Sequence, residues 1–244
     1  MTFAIIGGTG FEDPFKEAPS QEIKTPFGPV DLLAPQDEDF YFLSRHGRNH
    51  GLAPHKINYR ANIWALKELG VDFVYGICAV GSLKEDLAPG SICLAKDFID
   101  QTWGREDTFF DGDFRPLAHL EMTQPYSPYL NELFEESWGQ ELFRAVYLCT
   151  QGPRFESAAE IKVYQLMGAH VVGMTNVPEV VLAKELGLHY SLVCHVTNLC
   201  TGLVDRVEEV GPLAPDQKKR VLEAIKKSFK HIDPSRAGGN THWV

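Results

Sequence analysis

Ala169-His170-Val171-Val172-Gly173-Met174-Thr175-Asn176-Val177-Pro178-Glu179-Val180-Val181-Leu182-Ala183 reads as a buried strand that passes through a short turn into a helix. The apolar run 169–172, broken only by His170, has the length and β-branched content of a strand. Pro178 at a first helical position, with Glu179 one residue later, marks a helix start. The order leaves the Thr175 hydroxyl at a helix N-terminus, where backbone N–H groups and the helix dipole favour an anion. A plain helix cap would use the same residues.

The same alternation extends in both directions. Short apolar runs at 3–6, 39–43, 73–78, 90–95, 145–150, 170–174 and 190–196 are bounded by Gly, Pro or polar residues and read as buried strands. Segments 59–69, 128–138, 157–167, 178–186 and 215–231 read as helices, with start signals at Ser157 and near Asp216 and stops at Gly168 and Gly187. Strands alternating with helices predict an α/β fold with a largely parallel sheet covered on both faces. The acidic, aromatic stretch 100–126 (Trp103, Phe109, Phe110, Phe114, Tyr126) fits neither pattern. It reads as a long ordered loop of the functional or interfacial kind. With no repeat, low-complexity segment or linker, residues 1–244 form one expected domain. The end of the chain, 235–244, is either a flexible tail or a docking segment in which Trp243 meets a neighbour.

Composition narrows the classes. At 244 residues and 44% hydrophobic, the chain can bury a large core. It has no run of about 18 apolar residues, which excludes a helical membrane span. Met1-Thr2-Phe3-Ala4-Ile5-Ile6 lacks a basic leader and reads directly as a strand, so a cytoplasmic location is expected. The five cysteines (Cys78, Cys93, Cys149, Cys194, Cys200) form no CxxC pair and are expected to be reduced core thiols. A net charge of −10 argues against nucleic acid as partner. An anionic small substrate would need a local basic pocket.

Two segments can build such a pocket. Gly7-Gly8-Thr9-Gly10 follows a strand and can wrap backbone amides around a phosphate. As a dinucleotide fingerprint it fails, because Asp13 stands where the third glycine would be and no Walker lysine follows. Arg45 and His46, just past another strand, can supply a fork of donors and a further N–H, although a surface ion pair would also explain Arg45.

Gly7-Gly8-Thr9-Gly10, Ser44-Arg45-His46-Gly47, Asn58-Tyr59-Arg60-Ala61-Asn62-Ile63-Trp64-Ala65-Leu66-Lys67, Gly81-Ser82-Leu83, Gly152-Pro153-Arg154-Phe155 and Met174-Thr175-x-x-Pro178-Glu179 occur in that order. Together they resemble the trimeric purine nucleoside phosphorylases, specifically the methylthioadenosine phosphorylase branch, from about residue 3 to about residue 200. The resemblance implies one α/β domain with a central, mixed, partly barrel-like sheet flanked by helices. It implies a homotrimer or a dimer of trimers, no metal or organic cofactor, and inorganic phosphate as co-substrate. It places Thr9, Arg45, His46, Ala79 and Thr175 around phosphate, with Cys78 at a position that is often Thr in relatives. Met174 would pack under the ribose and Phe155 near the base. His119 would reach across a subunit interface into the neighbour's 5′ pocket, although an ordinary loop histidine is equally compatible.

Base choice rests on Glu156 and Thr197-Asn198-Leu199-Cys200. Relatives acting on 6-aminopurines resemble Thr-Asp-x-Asp here, and Asn198 and Cys200 replace both acids. Phe155-Glu156 and Thr197-Asn198 resemble the 6-oxopurine pattern. A carboxylate accepts from the N1–H of hypoxanthine or guanine, whereas adenine presents a bare lone pair. The Asn198 amide, the candidate catalytic group, can meet O6 and N7. A mispaired buried site can discriminate by roughly 10⁴-fold, so inosine and guanosine are expected over adenosine. A capping role for Glu156 at the helix near Ser157 competes with this reading. The 5′ side stays open between hydroxyl and methylthio, since 203–215 offers Val204, Val207, Val210 and Leu213 but no histidine. S-methyl-5′-thioinosine and S-methyl-5′-thioadenosine are therefore alternatives. From other classes, an NAD-linked epimerase or reductase on the glycine turn and a non-catalytic nucleoside-binding protein remain.

Overall fold

The computed structural model describes residues 1–244 apart from 9, 12–14, 16, 37, 48–50, 205, 209–212, 239–242 and 244. Strands β1 (Thr2–Gly7), β2 (Ser20–Thr25), β3 (Gly28–Leu33), β4 (Phe40–Ser44), β5 (Val71–Ser82), β6 (Ile92–Gln101), β7 (Phe143–Thr150), β8 (Val171–Gly173) and β9 (His189–Leu199) alternate with helices α1 (Tyr59–Glu68), α2 (Pro128–Trp138), α3 (Ala158–Leu166), α4 (Asn176–Glu185) and α5 (Pro215–Lys230). All the strands join one sheet in the order β2-β3-β4-β1-β5-β8-β7-β6-β9, and β9 pairs back onto β5. Five strands thus close into a barrel, and the remaining four extend from β5 as an open wing.

The twelve-residue β5 makes this possible. Its first half pairs in parallel with β1 and its last two residues pair antiparallel with β8, while its other edge runs along β9. Successive side chains of a strand point to opposite faces, and β5 divides accordingly. Val74, Cys78 and Val80 pack with Ala61 and Leu66 of α1 and Val180 and Leu182 of α4. Phe73, Tyr75 and Ile77 pack with Leu130 and Phe134 of α2 and Ile225 and Phe229 of α5. Burial on both faces is why these strands read as apolar runs rather than as alternations.

Each expected strand and helix is present. The sheet is mixed rather than largely parallel, because the antiparallel pairs β5–β8 and β6–β9 close the barrel. The β2–β3 hairpin was not legible. Ser-Gln-Glu-Ile-Lys-Thr is a polar edge strand with one apolar residue, so it carries little periodic signal. Caps set three helix starts: Asn58 accepts from Ala61 N, Ser127 from Leu130 N, and Ser157 forms a capping box with Glu160. In α4, Val177 is non-helical, and the regular turns begin at Pro178 as read from the sequence.

Segment 102–126 contains no helix and no β1–β9 strand, as expected of an ordered loop. It is anchored by aromatic contacts, with Phe109 and Phe114 packing on Phe27 and Trp64. The tail expectation needs correction. Trp243 bridges to Leu120 and packs on Phe110 at 4.3 Å, so it docks on the long loop of its own chain.

Candidate active site

The C-terminal ends of β1, β4, β5, β7, β8 and β9 converge on a cleft of about 240 Å³. One end is formed by the turn after β1, the turn after β4 and the middle of β5. Its walls include Gly8, Arg45, His46, Cys78, Ala79 and Thr175. Thr9 lies outside the described residues. At the other end Phe155, Glu156, Val172, Asn198, Cys200 and Val207 surround the opening, with Met174 between the two ends. Ten of the twelve site residues named from sequence therefore meet in one cavity. His119 does not line it and lies exposed on the long loop.

Arg45 is neither the free cation nor the surface ion pair that its spacing left open. It is 1% exposed and forms a bidentate pair with Glu179, Nε to Oε2 at 2.7 Å and Nη2 to Oε1 at 2.8 Å. Nη1 also donates to the Ile77 carbonyl at 2.8 Å, and Nη2 reaches the Ile6 carbonyl at 3.5 Å. Burial opposes the charge, but Cys78 and the Glu179 carboxylate push the guanidinium pKa well above its usual value, so it stays ionised. Four of its five N–H groups are directed at these protein acceptors, and the second Nη1 hydrogen has no acceptor among the described residues. Gly8 permits this approach: a Cβ there would lie 2.5 Å from Arg45 Nη1. The glycine turn is thus explained by the arginine beside it, without a dinucleotide.

Glu179 is held in turn from behind. Tyr190 donates to its Oε1 at 2.5 Å, Asn176 donates to the Tyr190 hydroxyl at 3.0 Å, and Tyr126 donates to Asn176 Oδ1. Gly76 makes room for this chain, since a Cβ would fall 1.9 Å from the Tyr190 oxygen. The relay runs from the end of the long loop to the Arg45 wall of the cleft. Sequence reading gave Glu179 only a helix-start role. The available signal was a carboxylate inside Val-Pro-Glu-Val-Val-Leu, because a buried charge implies a buried partner.

The Thr175 hydroxyl makes no capping bond and lies 3.3 Å from Cys78 Sγ. Burial pushes the Cys78 thiol pKa up, against the opposing Arg45 charge, so this group is a neutral thiol. His46 sets Nδ1 against the Leu52 carbonyl at 2.8 Å, which fixes the ring beside Arg45.

At the other end Glu156 is 7% exposed. Among the described residues its one hydrogen bond comes from the Thr150 hydroxyl to Oε1 at 2.7 Å. The capping of α3 is done by Ser157 and Glu160, so Glu156 is released from that duty. Asn198 accepts from Thr197 Oγ1 at 2.8 Å and donates to the Leu199 carbonyl at 3.0 Å. One N–H and one lone pair of its amide remain. Burial and the nearby Glu156 push the Cys200 thiol up to about 12, so it faces the cleft as a small neutral group.

Arg105 was missed altogether. From the long loop it donates to the backbone carbonyls of Thr150, Gln151, Met174 and Val177 at 2.5–3.2 Å and to the Tyr59 hydroxyl at 3.2 Å. It ties β7, the β8–α4 turn and α1 together behind the cleft. No motif spacing announces such a residue, because its acceptors are all backbone or distant in sequence.

The fold and cleft define an α/β protein with an anion-receiving wall facing a carboxamide-and-carboxylate pocket. The chain belongs to the phosphorylase superfamily, whose sequence profile matches residues 2–230. It is 44% identical over 246 residues to the probable 6-oxopurine nucleoside phosphorylase of Dictyoglomus turgidum, covering 96% of this chain and 91% of the relative. It is 40% identical to the probable S-methyl-5′-thioinosine phosphorylase of Methanopyrus kandleri, covering 96% and 93%. Among solved structures, methylthioadenosine phosphorylase from Schistosoma mansoni in complex with tubercidin superposes with a TM-score of 0.88 at 30% identity, covering 97% and 94% of the two chains.

Proposed function

We propose that this protein cleaves 6-oxopurine nucleosides, inosine and guanosine, with inorganic phosphate, releasing the free base and ribose 1-phosphate. The observation that carries the base assignment is Glu156, a nearly buried carboxylate at the cleft with a single donor among the described residues. A buried carboxylate short of donors favours a ligand that brings its own N–H, which a 6-oxopurine does at N1 and adenine does not.

Bond cleavage at C1′ leaves positive charge on the ribosyl ring and negative charge on the departing purine. A phosphate dianion held by Gly8, Thr9, the spare Arg45 N–H, His46, Ala79 and Thr175, with the thiol of Cys78 alongside, stabilises the first and supplies the attacking oxygen. Asn198 meets the second at N7 and O6. Met174 packs beneath the ribose, and Phe155 and Cys200 border the base. Positioning and preorganised donors suffice, so no covalent nucleophile, metal or organic cofactor is required. The Arg45–Glu179 pair makes this wall a rigid donor array with little net charge, and the dianion draws on oriented N–H and O–H groups.

Val207 at the cleft, together with Phe155 and Pro54, favours a second reading for the 5′ group. These apolar walls suit the methylthio group of S-methyl-5′-thioinosine, a compound named in the Methanopyrus relative. Adenine-bearing S-methyl-5′-thioadenosine leaves Glu156 unpaired. We further infer a homotrimer or a dimer of trimers in which His119 reaches a neighbour's 5′ pocket, and a cytoplasmic role in purine salvage. The base assignment is tested by Glu156→Ser combined with Asn198→Asp, which should move the ratio of inosine to adenosine turnover toward adenosine. An unmoved ratio sinks the assignment.

A further inference from the structure

Thr150 is the last residue of β7 and does not line the cleft. Its hydroxyl is 7% exposed with its residue and has one proton to give. That proton has two acceptors in range, Glu156 Oε1 at 2.7 Å and the Gly173 carbonyl at 3.4 Å, and the shorter contact takes it. The Thr150 backbone is held independently, because its carbonyl accepts from Arg105 Nη2 at 3.2 Å. On the far side of Glu156, the Ser157 N–H donates to Glu160 at 2.7 Å and fixes the chain at the start of α3.

The donor that meets Glu156 and the chain just after Glu156 are therefore both anchored, which leaves the plane of the carboxylate to be set by the Thr150 contact. The terminal torsion of a Glu side chain is broad and nearly two-fold, unlike the staggered torsions nearer the backbone. A single donor on one oxygen fixes that plane and directs the other oxygen elsewhere. No other described side chain competes for Oε2.

We propose that Thr150 is the positioning residue for base recognition: its hydroxyl claims one oxygen of Glu156 and so presents the other, preoriented, to the N1–H of the purine. The proposal rests on the reading of Glu156 as the base acceptor. It makes β7 the element that sets base specificity from outside the cleft, where a search of lining residues would not find it.

The experiment compares Thr150→Val, which keeps the shape and removes the hydroxyl, with Thr150→Ser, which keeps the hydroxyl, and with Glu156→Gln. For each, KM and kcat for inosine, KM for phosphate, and the inhibition constant of hypoxanthine are measured. Thr150→Val should raise the inosine KM and the hypoxanthine inhibition constant about tenfold or more, the range of a hydrogen bond to a charged group. The phosphate KM should stay put, and Thr150→Ser should come back to within about threefold of the parent. The proposal is overturned if Thr150→Val leaves hypoxanthine binding unchanged while Glu156→Gln weakens it, or if the Ser variant is as impaired as the Val variant. If Glu156→Gln itself leaves hypoxanthine binding intact, the base reading fails first and takes this proposal with it. Should Thr150→Val not fold, Thr150→Ala carries the same comparison.

Discussion

Replacing Glu179 by Gln tests the claim that Arg45 is a paired, buried charge. The glutamine oxygen can keep the bonds now made to Oε1 by Arg45 Nη2 and Tyr190, but its amide then faces Arg45 Nε, which donates to Oε2 at 2.7 Å. A donor meets a donor, and a guanidinium 1% exposed loses its counter-charge. Breaking one side of a buried pair costs about 3–5 kcal/mol. For a chain of this length each kcal/mol lowers Tm by about 2–4 °C, so a fall of about 6–20 °C is expected. Scanning calorimetry at fixed protomer concentration reads it, with and without phosphate. The now uncompensated guanidinium should bind the anion more tightly, so added phosphate should raise Tm more in the variant than in the parent. Arg154→Ala is the control: Arg154–Glu160 is also a bidentate ion pair, made end-on through Nη1 and Nη2, but its arginine side chain is 69% exposed, and exposed pairs contribute about 1 kcal/mol or less. A Glu179→Gln shift no larger than that of Arg154→Ala refutes the reasoning.

Three further outcomes follow from the same geometry. Arg105→Ala should lower kcat/KM by about tenfold or more and lower Tm, because it frees the Thr150–Gln151 and Met174–Val177 backbones that it ties together behind the cleft; steady-state rates and melting curves within twofold and 2 °C of the parent would refute it. Burial holds the His195 pKa down at about 4, from an ordinary 6.5. The unfolded chain thus takes up a proton first, and stability falls by about 2–3 kcal/mol as pH drops from 6.5 to 4, then levels; His195→Gln should flatten that part of the urea-midpoint profile. All five thiols are buried, and burial pushes Cys149 and Cys200 up to about 12, so Ellman titration of the native protein at pH 8 should give well under one thiol per chain within minutes, and all five after denaturation.

What the sequence made legible and what it hid differ for physical reasons. Elements that bury an apolar face announce themselves, so β4, β7 and α2 were read close to their true extents, while β5 and β9 were found but read short. In the β2–β3 hairpin, β2 buries little and β3 carries only the short apolar set Val30, Leu32 and Leu33, and the pair stayed silent. Barrel closure was available only through the family resemblance, because the two-residue pairing of Gly81–Ser82 with β8 depends on how β5 bends and leaves no periodic trace. For the site, Gly8, Arg45 and Thr175 stood out on short spacings next to strands and the family resemblance pointed to Glu156 and Asn198; the fold brings all five to one cleft. Their partners were not. Glu179 is 134 residues from Arg45, and Arg105 lies 45 or more residues from each backbone acceptor. Pairings at such separations are products of the fold. That difference also reassigned Arg45, from a free cation to one half of a neutral pair.

The central claim is most directly tested by initial rates of base release from inosine, guanosine, adenosine, S-methyl-5′-thioinosine and S-methyl-5′-thioadenosine, each with and without phosphate. The expected result is phosphate-dependent release of hypoxanthine or guanine, with the paired 5′ substrates identifying the preferred ribosyl group. Release that ignores phosphate, or release of adenine alone, would contradict the account.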